Sequence, residues 1–156
     1  MNAIATMYRD GYGVPQDYGE ARRWYEEAAA AGNSPIAMNT IGSFYENGRG
    51  VPKDYAEAKR WYEKAVAAAN SPVGMTSIGS LYENGRGVQQ DYVEAKRWYE
   101  KAADLGNSTA MVNLGDMYRD GRGVAKSVAD ARTWYERAAV AGSAIGQNRL
   151  GALPSQ

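Results

Sequence analysis

The sequence predicts an all-α protein built as an array of about four helix–turn–helix repeats. Three observations carry that prediction. The tripeptide Trp-Tyr-Glu begins at Trp24, Trp61, Trp98 and Trp134, with spacings of 37, 37 and 36 residues. The tetrapeptide Gly-x-Gly-Val begins at Gly11, Gly48, Gly85 and Gly121, with the same spacings. Between these markers, apolar residues recur at helical intervals. A period of this length marks a solenoid, propeller or array, in which each unit buries its apolar face against a neighbour.

Each Gly-x-Gly-Val precedes its own Trp-Tyr-Glu by 13 residues, so the variation in period falls in the connector to the next repeat. The connectors Asn33-Ser34-Pro35 and Asn70-Ser71-Pro72 have one length; Asn107-Ser108-Thr109 opens a connector one residue shorter. This divides the chain into repeats 1–36 (incomplete at its start), 37–73, 74–109 and 110–145, with a remnant at 146–156, together one domain. Residues 38–64 and 75–101 are identical at 21 of 27 positions.

The second repeat shows why each unit is two helices. Met38, Ile41, Gly42 and Tyr45 fall at i, i+3, i+4 and i+7, one face of a helix. Ser34 before Pro35 starts that helix, and Asn47-Gly48 ends it because both residues tolerate the left-handed conformation. Asp54 and Glu57 open a second helix with capping-box spacing. The same device recurs as Asp17 with Glu20, Asp91 with Glu94, and Ser127 with Asp130. Ala58, Trp61, Tyr62, Ala65 and Ala69 form the expected buried stripe, which places the whole Trp row in the core. Helices of about 12–14 residues, about 18–21 Å long, fit the spacing. At the C-terminus, Ile145, Leu150 and Leu153 begin a further first helix that covers the last repeat, and Pro154 limits it. At the other end Ile4, Met7 and Tyr8 leave an apolar face, so weak self-association through the ends is expected.

Composition narrows the function classes. Lys plus Arg and Asp plus Glu are 18 each, which argues against a basic nucleic-acid surface and a polybasic membrane surface. No stretch is long and apolar enough for membrane insertion. The chain contains no His and no Cys, so Cys/His zinc sites, Ser-His-Asp and Cys-His catalysis and disulfides are excluded. No metal or cofactor is expected. Leu, Ile, Val and Phe are scarce, so the core must be rings packed against small residues. Met1 to Arg9 lacks the basic-then-apolar order of a signal peptide. It starts inside a motif that later occurs in fuller form, which suggests an excised fragment or a mature form; the cytoplasm is the default location.

These residues resemble the Sel1-like repeat, a relative of the tetratricopeptide repeat. The third repeat carries the pattern with Ile78, Gly79, Leu81, Tyr82, Gly85, Gly87, Val88, Asp91, Ala95, Trp98, Tyr99, Ala102 and Ala103. The fourth carries it from Ala110 to Ala139. Ala5 in place of the first helical Gly, Ser127 in place of the loop Asp, and Val66 in place of an Ala are the departures. The resemblance implies a right-handed α-solenoid whose first helices line a concave groove. It also implies a non-catalytic adaptor or scaffold role in protein–protein contact, and it points to a bacterial source. A structural or self-associating segment of a larger repeat protein is the alternative. Some Sel1-like proteins are associated with penicillin binding or β-lactamase activity, but those carry a regular cysteine pair in each repeat. This chain has none, so that activity does not transfer.

By similarity to the tetratricopeptide frame, the groove positions are Asn39, Thr40, Ser43, Glu46 and Asn47 in the second repeat. They are Thr76, Ser77, Ser80, Glu83 and Asn84 in the third. The fourth presents Val112, Asn113, Asp116, Arg119 and Asp120, and the first Asn2, Ala3, Thr6, Arg9 and Asp10. Asn can grip a peptide backbone through both a donor and an acceptor. Nothing resembles a cluster that clamps a C-terminal carboxylate. Asn47 and Asn84 also read as helix terminators before Gly. Arg49, Arg86 and Arg122 form a ladder at one loop position, either a solvated row or a surface for acidic or phosphorylated segments. Lys59-Arg60 and Lys96-Arg97 read as a solvated second-helix face. The Gly-Arg-Gly-Val loops lack the preceding strand and following Lys-Ser/Thr of a phosphate cradle.

Overall fold

The computed structural model describes residues 1–154. Among them are nine helices: α1 (Asn2–Asp10), α2 (Tyr18–Gly32), α3 (Pro35–Asn47), α4 (Tyr55–Ala69), α5 (Pro72–Asn84), α6 (Tyr92–Asp104), α7 (Ser108–Asp120), α8 (Val128–Val140) and α9 (Ala144–Gly151). The residues divide into two compact units. One contains Met1–Gly74 and the loop Arg86–Val88; the other contains Met75–Gly85 and the chain from Gln89 on.

In the first unit, α1 pairs with α2, α2 packs on α3, and α3 pairs with α4. Side-chain oxygens of Asp17, Ser34 and Asp54 cap the following helices by accepting backbone N–H bonds from Glu20, Ala37 and Glu57. The capping box is one-sided. The Asp54 N–H donates to the Tyr45 carbonyl instead of meeting Glu57, and the Asp17 N–H donates likewise to Tyr8. Glu57 is left to accept from Arg60. This substitution is useful: it ties the start of each second helix to the end of the first and fixes the loop between them. Gly48 closes α3 in the left-handed conformation at φ 70°, as the Asn-Gly pair predicted.

The second unit repeats the scheme with α7 paired to α8 and α9 packed on both. Its connectors explain the shorter period. Asn33 and Asn70 end their helices in the left-handed conformation, with Ser34 and Ser71 as the next caps. At the shortened connector, Gly106 takes the left-handed position and Asn107 becomes the cap, accepting from the Ala110 N–H. The C-terminal remnant forms α9. A Cβ at Gly146 would lie 2.7 Å from that of Ala138, so this capping helix seats closely on α8.

The core corrects one expectation. The large fully buried rings are Tyr25, Tyr62, Tyr99 and Tyr135, not the tryptophans beside them. Trp24, Trp61, Trp98 and Trp134 are half-buried, and Ala69 is exposed. The indole rings sit at the edge of the apolar stripe, and a cation three residues on covers three of them: Lys64 at 3.8 Å from Trp61, Lys101 at 4.7 Å from Trp98, and Arg137 at 4.2 Å from Trp134; Trp24 has Arg23 at 5.9 Å instead. Such contacts suit a half-wet ring. The tyrosines instead lie against the first-helix glycines. A Cβ on Gly42 or Gly79 would stand 2.6 Å from the Tyr62 or Tyr99 ring, and one on Gly115 2.4 Å from the Tyr135 ring. Glycine at these three positions lets a ring lie on helix backbone; in the first repeat Ala5 takes the equivalent place, buried in the same cluster as Tyr25.

Candidate functional site

Each core tyrosine projects its hydroxyl towards the C-terminal half of a first helix, and that hydroxyl organises the expected groove positions. Tyr62 donates to Glu46 at 2.7 Å and Tyr99 to Glu83 at 2.7 Å. Tyr135 donates to Asp116 at 2.7 Å. In the first repeat Thr6 and the Tyr25 hydroxyl are 3.0 Å apart, and Arg9 donates to that hydroxyl at 3.4 Å. Glu46, Glu83 and Asp116 are therefore tied first to the core. Burial, and then the neighbouring Glu83 charge, push the Tyr99 hydroxyl well above its ordinary value. Burial and the bond to Asp116 push Tyr135 up too.

In the first unit, Asn39, Thr40 and Ser43 line a recess of about 440 Å³ with Arg9, Asp10 and Arg49. Three positions named from the sequence are thus brought together, with the two charged residues of the first repeat. The Asn39 amide donates to Ser71 at 2.7 Å, while its Oδ1 is buried without a partner. Thr40 donates to the Ile36 carbonyl at 2.8 Å. Asn47 is exposed and spends its amide on Ser43, at 2.8 Å to the carbonyl and 3.2 Å to Oγ. It stays helical while Gly48 takes the left-handed turn, and it does not line the recess. Arg9 donates to Asp10 through Nε at 2.7 Å and Nη2 at 2.6 Å. The Asp10 bond raises Arg9 above its usual range, and the same bond lowers Asp10.

In the second unit one of the equivalent positions is more closed. Glu83 is only 9% exposed and meets Arg122 at 2.6 Å. Asn84 donates to the Ser80 carbonyl at 2.8 Å. Thr76, Ser77 and Asn113 are half-buried. Asp116 is shared by Arg119 at 2.7 Å and Arg149 at 3.4 Å. Arg119 also holds Asp120, and that bond raises Arg119 and lowers Asp120. Val112, expected on the groove, is 6% exposed and belongs to the core.

Two features escaped the sequence. Arg49 is a wall of the recess, whereas its place in the ladder left open a solvated loop row or a surface for acidic segments, and did not join it to α3. A second recess, about 420 Å³, lies along α8 with Met111 beneath and Val140 on its rim, 91% exposed. The signal was present, since Val140 stands where the other repeats have Ala30, Ala67 and Asp104. Among the described residues no acidic cluster could hold a metal ion, and no helix is long and apolar enough to cross a membrane.

The profile of the Sel1 repeat matches residues 1–33, 35–70, 72–107 and 108–143. A Sel1 repeat protein from Oxalobacter formigenes is 42% identical, with a TM-score of 0.86 over 96% of this chain and 60% of its own. A protective antigen from uropathogenic Escherichia coli strains is 40% identical, with a TM-score of 0.83 over 96% of this chain and 32% of its own. Helicobacter pylori cysteine rich protein B is 27% identical, with a TM-score of 0.65 over 85% of this chain and 94% of its own. The chain thus spans 60% and 32% of the lengths of the first two. No protein of curated function matches the sequence.

Proposed function

The chain belongs to the Sel1-repeat family of α-solenoid proteins, and from that premise we propose that it is a non-catalytic recognition module holding an extended protein segment on its first helices. Sel1 repeats commonly serve as protein-interaction scaffolds and are typically non-catalytic. The observation that carries the finer reading is the first-unit recess, where Asn39, Thr40 and Ser43 meet Arg9, Asp10 and Arg49 in about 440 Å³. Its lining is polar and chemically mixed, suited to a peptide's backbone and to its polar side chains. A single net hydrogen bond contributes about 0.5–1.5 kcal/mol, against about 8 kcal/mol for micromolar affinity. Binding must therefore use several contacts at once, and the exposed Val73, which also lines the recess, supplies an apolar one.

The test is capture of partners from the source lysate by the intact chain and by a Thr40→Trp/Ser43→Trp variant, read by mass spectrometry. Both changes fall on α3 positions whose own bonds are local, so helicity should stay intact. A partner retained by the intact chain and lost by the variant is the expected result. Equal capture by both, with circular dichroism unchanged, would remove the recess from the binding surface.

A further inference from the structure

The arginine ladder has one member whose internal partner is missing. Arg86 faces Glu46 at 3.7 Å in the first unit, and Arg122 faces Glu83 at 2.6 Å in the second. In both cases the carboxylate comes from the first helix of the preceding repeat. The same register puts Arg9 where Arg49 would need its Glu. Arg9 cannot serve, and it is already committed to Asp10 through two nitrogens. Among the described residues Arg49 forms no ion pair; its guanidinium lies 5.8 Å from the Tyr18 ring and is otherwise exposed.

Arg49, Arg9 and Asp10 line one recess with Asn39, Thr40 and Ser43. The Arg9–Asp10 pair is neutral, so the recess carries a net single positive charge, that of Arg49. We propose that it takes an Asp or Glu side chain from the partner segment, whose carboxylate pairs with Arg49 as Glu46 and Glu83 pair with Arg86 and Arg122. This rests on the recognition reading above and names the chemistry of its ligand. A carboxylate fits better than a phosphate for two reasons. The other ladder positions are filled by carboxylates on the same loop geometry. A phosphate would also bring close to two negative charges beside Asp10, against one unpaired cation.

The experiment is an NMR titration of the whole chain with a blocked peptide alternating Glu and Ala, and with its Gln counterpart. Saturable shifts at the Arg49 Nε–Hε and at the amides of Asn39 to Ser43 are expected with the Glu peptide only. The double variant Arg9→Glu/Asp10→Asn installs the Glu-Asn pattern of the next two repeats and gives Arg49 an internal partner. It should weaken the Glu peptide about two- to fivefold, the size of one exposed charge pair. Arg49→Gln, at an exposed loop position, should do the same without altering a helix. Equal shifts with the Gln peptide, an affinity unchanged in both variants, or no shift with either peptide would overturn the inference. So would tighter, Arg49-dependent binding of a phosphoserine peptide. A Gln peptide that binds equally and is lost in Thr40→Trp/Ser43→Trp would end the charge argument while leaving the recognition reading standing.

Discussion

The segment Tyr-Glu-Asn-Gly-Arg-Gly occurs twice, at Tyr45–Gly50 and Tyr82–Gly87, and the two copies end in different electrostatic states. Both glutamates hold a tyrosine hydroxyl at 2.7 Å. Glu83 is nevertheless buried and pressed by Arg122 at 2.6 Å, whereas the Glu46 side chain is 18% exposed and meets Arg86 at 3.7 Å. Beyond the two glutamates the contrast widens: Asp116 serves one tyrosine and two arginines, while Arg49 has no acid at all. At this loop position the second unit sets Arg122 against its own Glu83, and the first leaves Arg49 without an acid. Identical letters therefore do not fix a charge network in a repeat array, because each acid's partner is set by the repeat that follows it.

Gly79→Ala should give the largest loss of stability. Its Cβ would meet the Tyr99 ring at 2.6 Å, and that ring cannot back away while its hydroxyl is held by Glu83. A cost of about 3 kcal/mol, the upper part of the overpacking range, is expected in urea unfolding. Combined with Tyr99→Ala, which opens a cavity of its own, the loss should be smaller than the sum of the two single losses. If Gly79→Ala alone were neutral, the ring-on-backbone account of the core would be wrong.

Removing the two glutamates sharpens the comparison. Glu83→Ala strands a buried tyrosine hydroxyl and releases Arg122, an expected loss of about 2 kcal/mol. Glu46→Ala acts on a more exposed, more loosely paired group, and about 1 kcal/mol or less is expected. Equal losses would mean that burial does not separate the two sites.

Alkaline pH tests the same hydroxyls. Tyr99 and Tyr135 are raised above the ordinary value of 10.0 in the folded chain. A raised group gives stability that is fully present below the unfolded pKa and is lost as pH rises through the folded one. Stability should therefore fall above about pH 10, with tyrosinate absorbance lagging until unfolding. Glu83→Gln keeps a hydrogen-bond acceptor for Tyr99 but removes the charge, so it should shrink that lag.

Much of this was legible beforehand. The repeats and the caps follow from local rules, and the resemblance to the tetratricopeptide frame sets Asn39, Thr40 and Ser43 on one face. The choice between Trp61 and Tyr62 was not legible, because adjacent residues on a helix share the edge of its stripe. What decides is the Gly42 backbone, which only a ring approaching from α4 can cover. The acid–tyrosine ties lie 16 residues apart in both inner repeats, a constant spacing that was there to be read. Pairing of Glu with the next repeat's Arg needed the fold, since no helix brings those positions together.

The smallest expected effect is also the one that separates the units most cleanly. Arg122→Ala removes the cation facing a buried glutamate and should cost about 1–2 kcal/mol. Arg49→Ala, at the same loop position, removes a group with no acid to lose and only a ring at 5.8 Å. Its effect on stability should be about zero, within the ±0.5 kcal/mol of ordinary surface changes. If Arg49→Ala were as costly as Arg122→Ala, Arg49 would have a structural partner and no spare charge to offer. If it were silent in stability while weakening the Glu peptide as Arg49→Gln does, the missing internal acid would be accounted for by one supplied from outside.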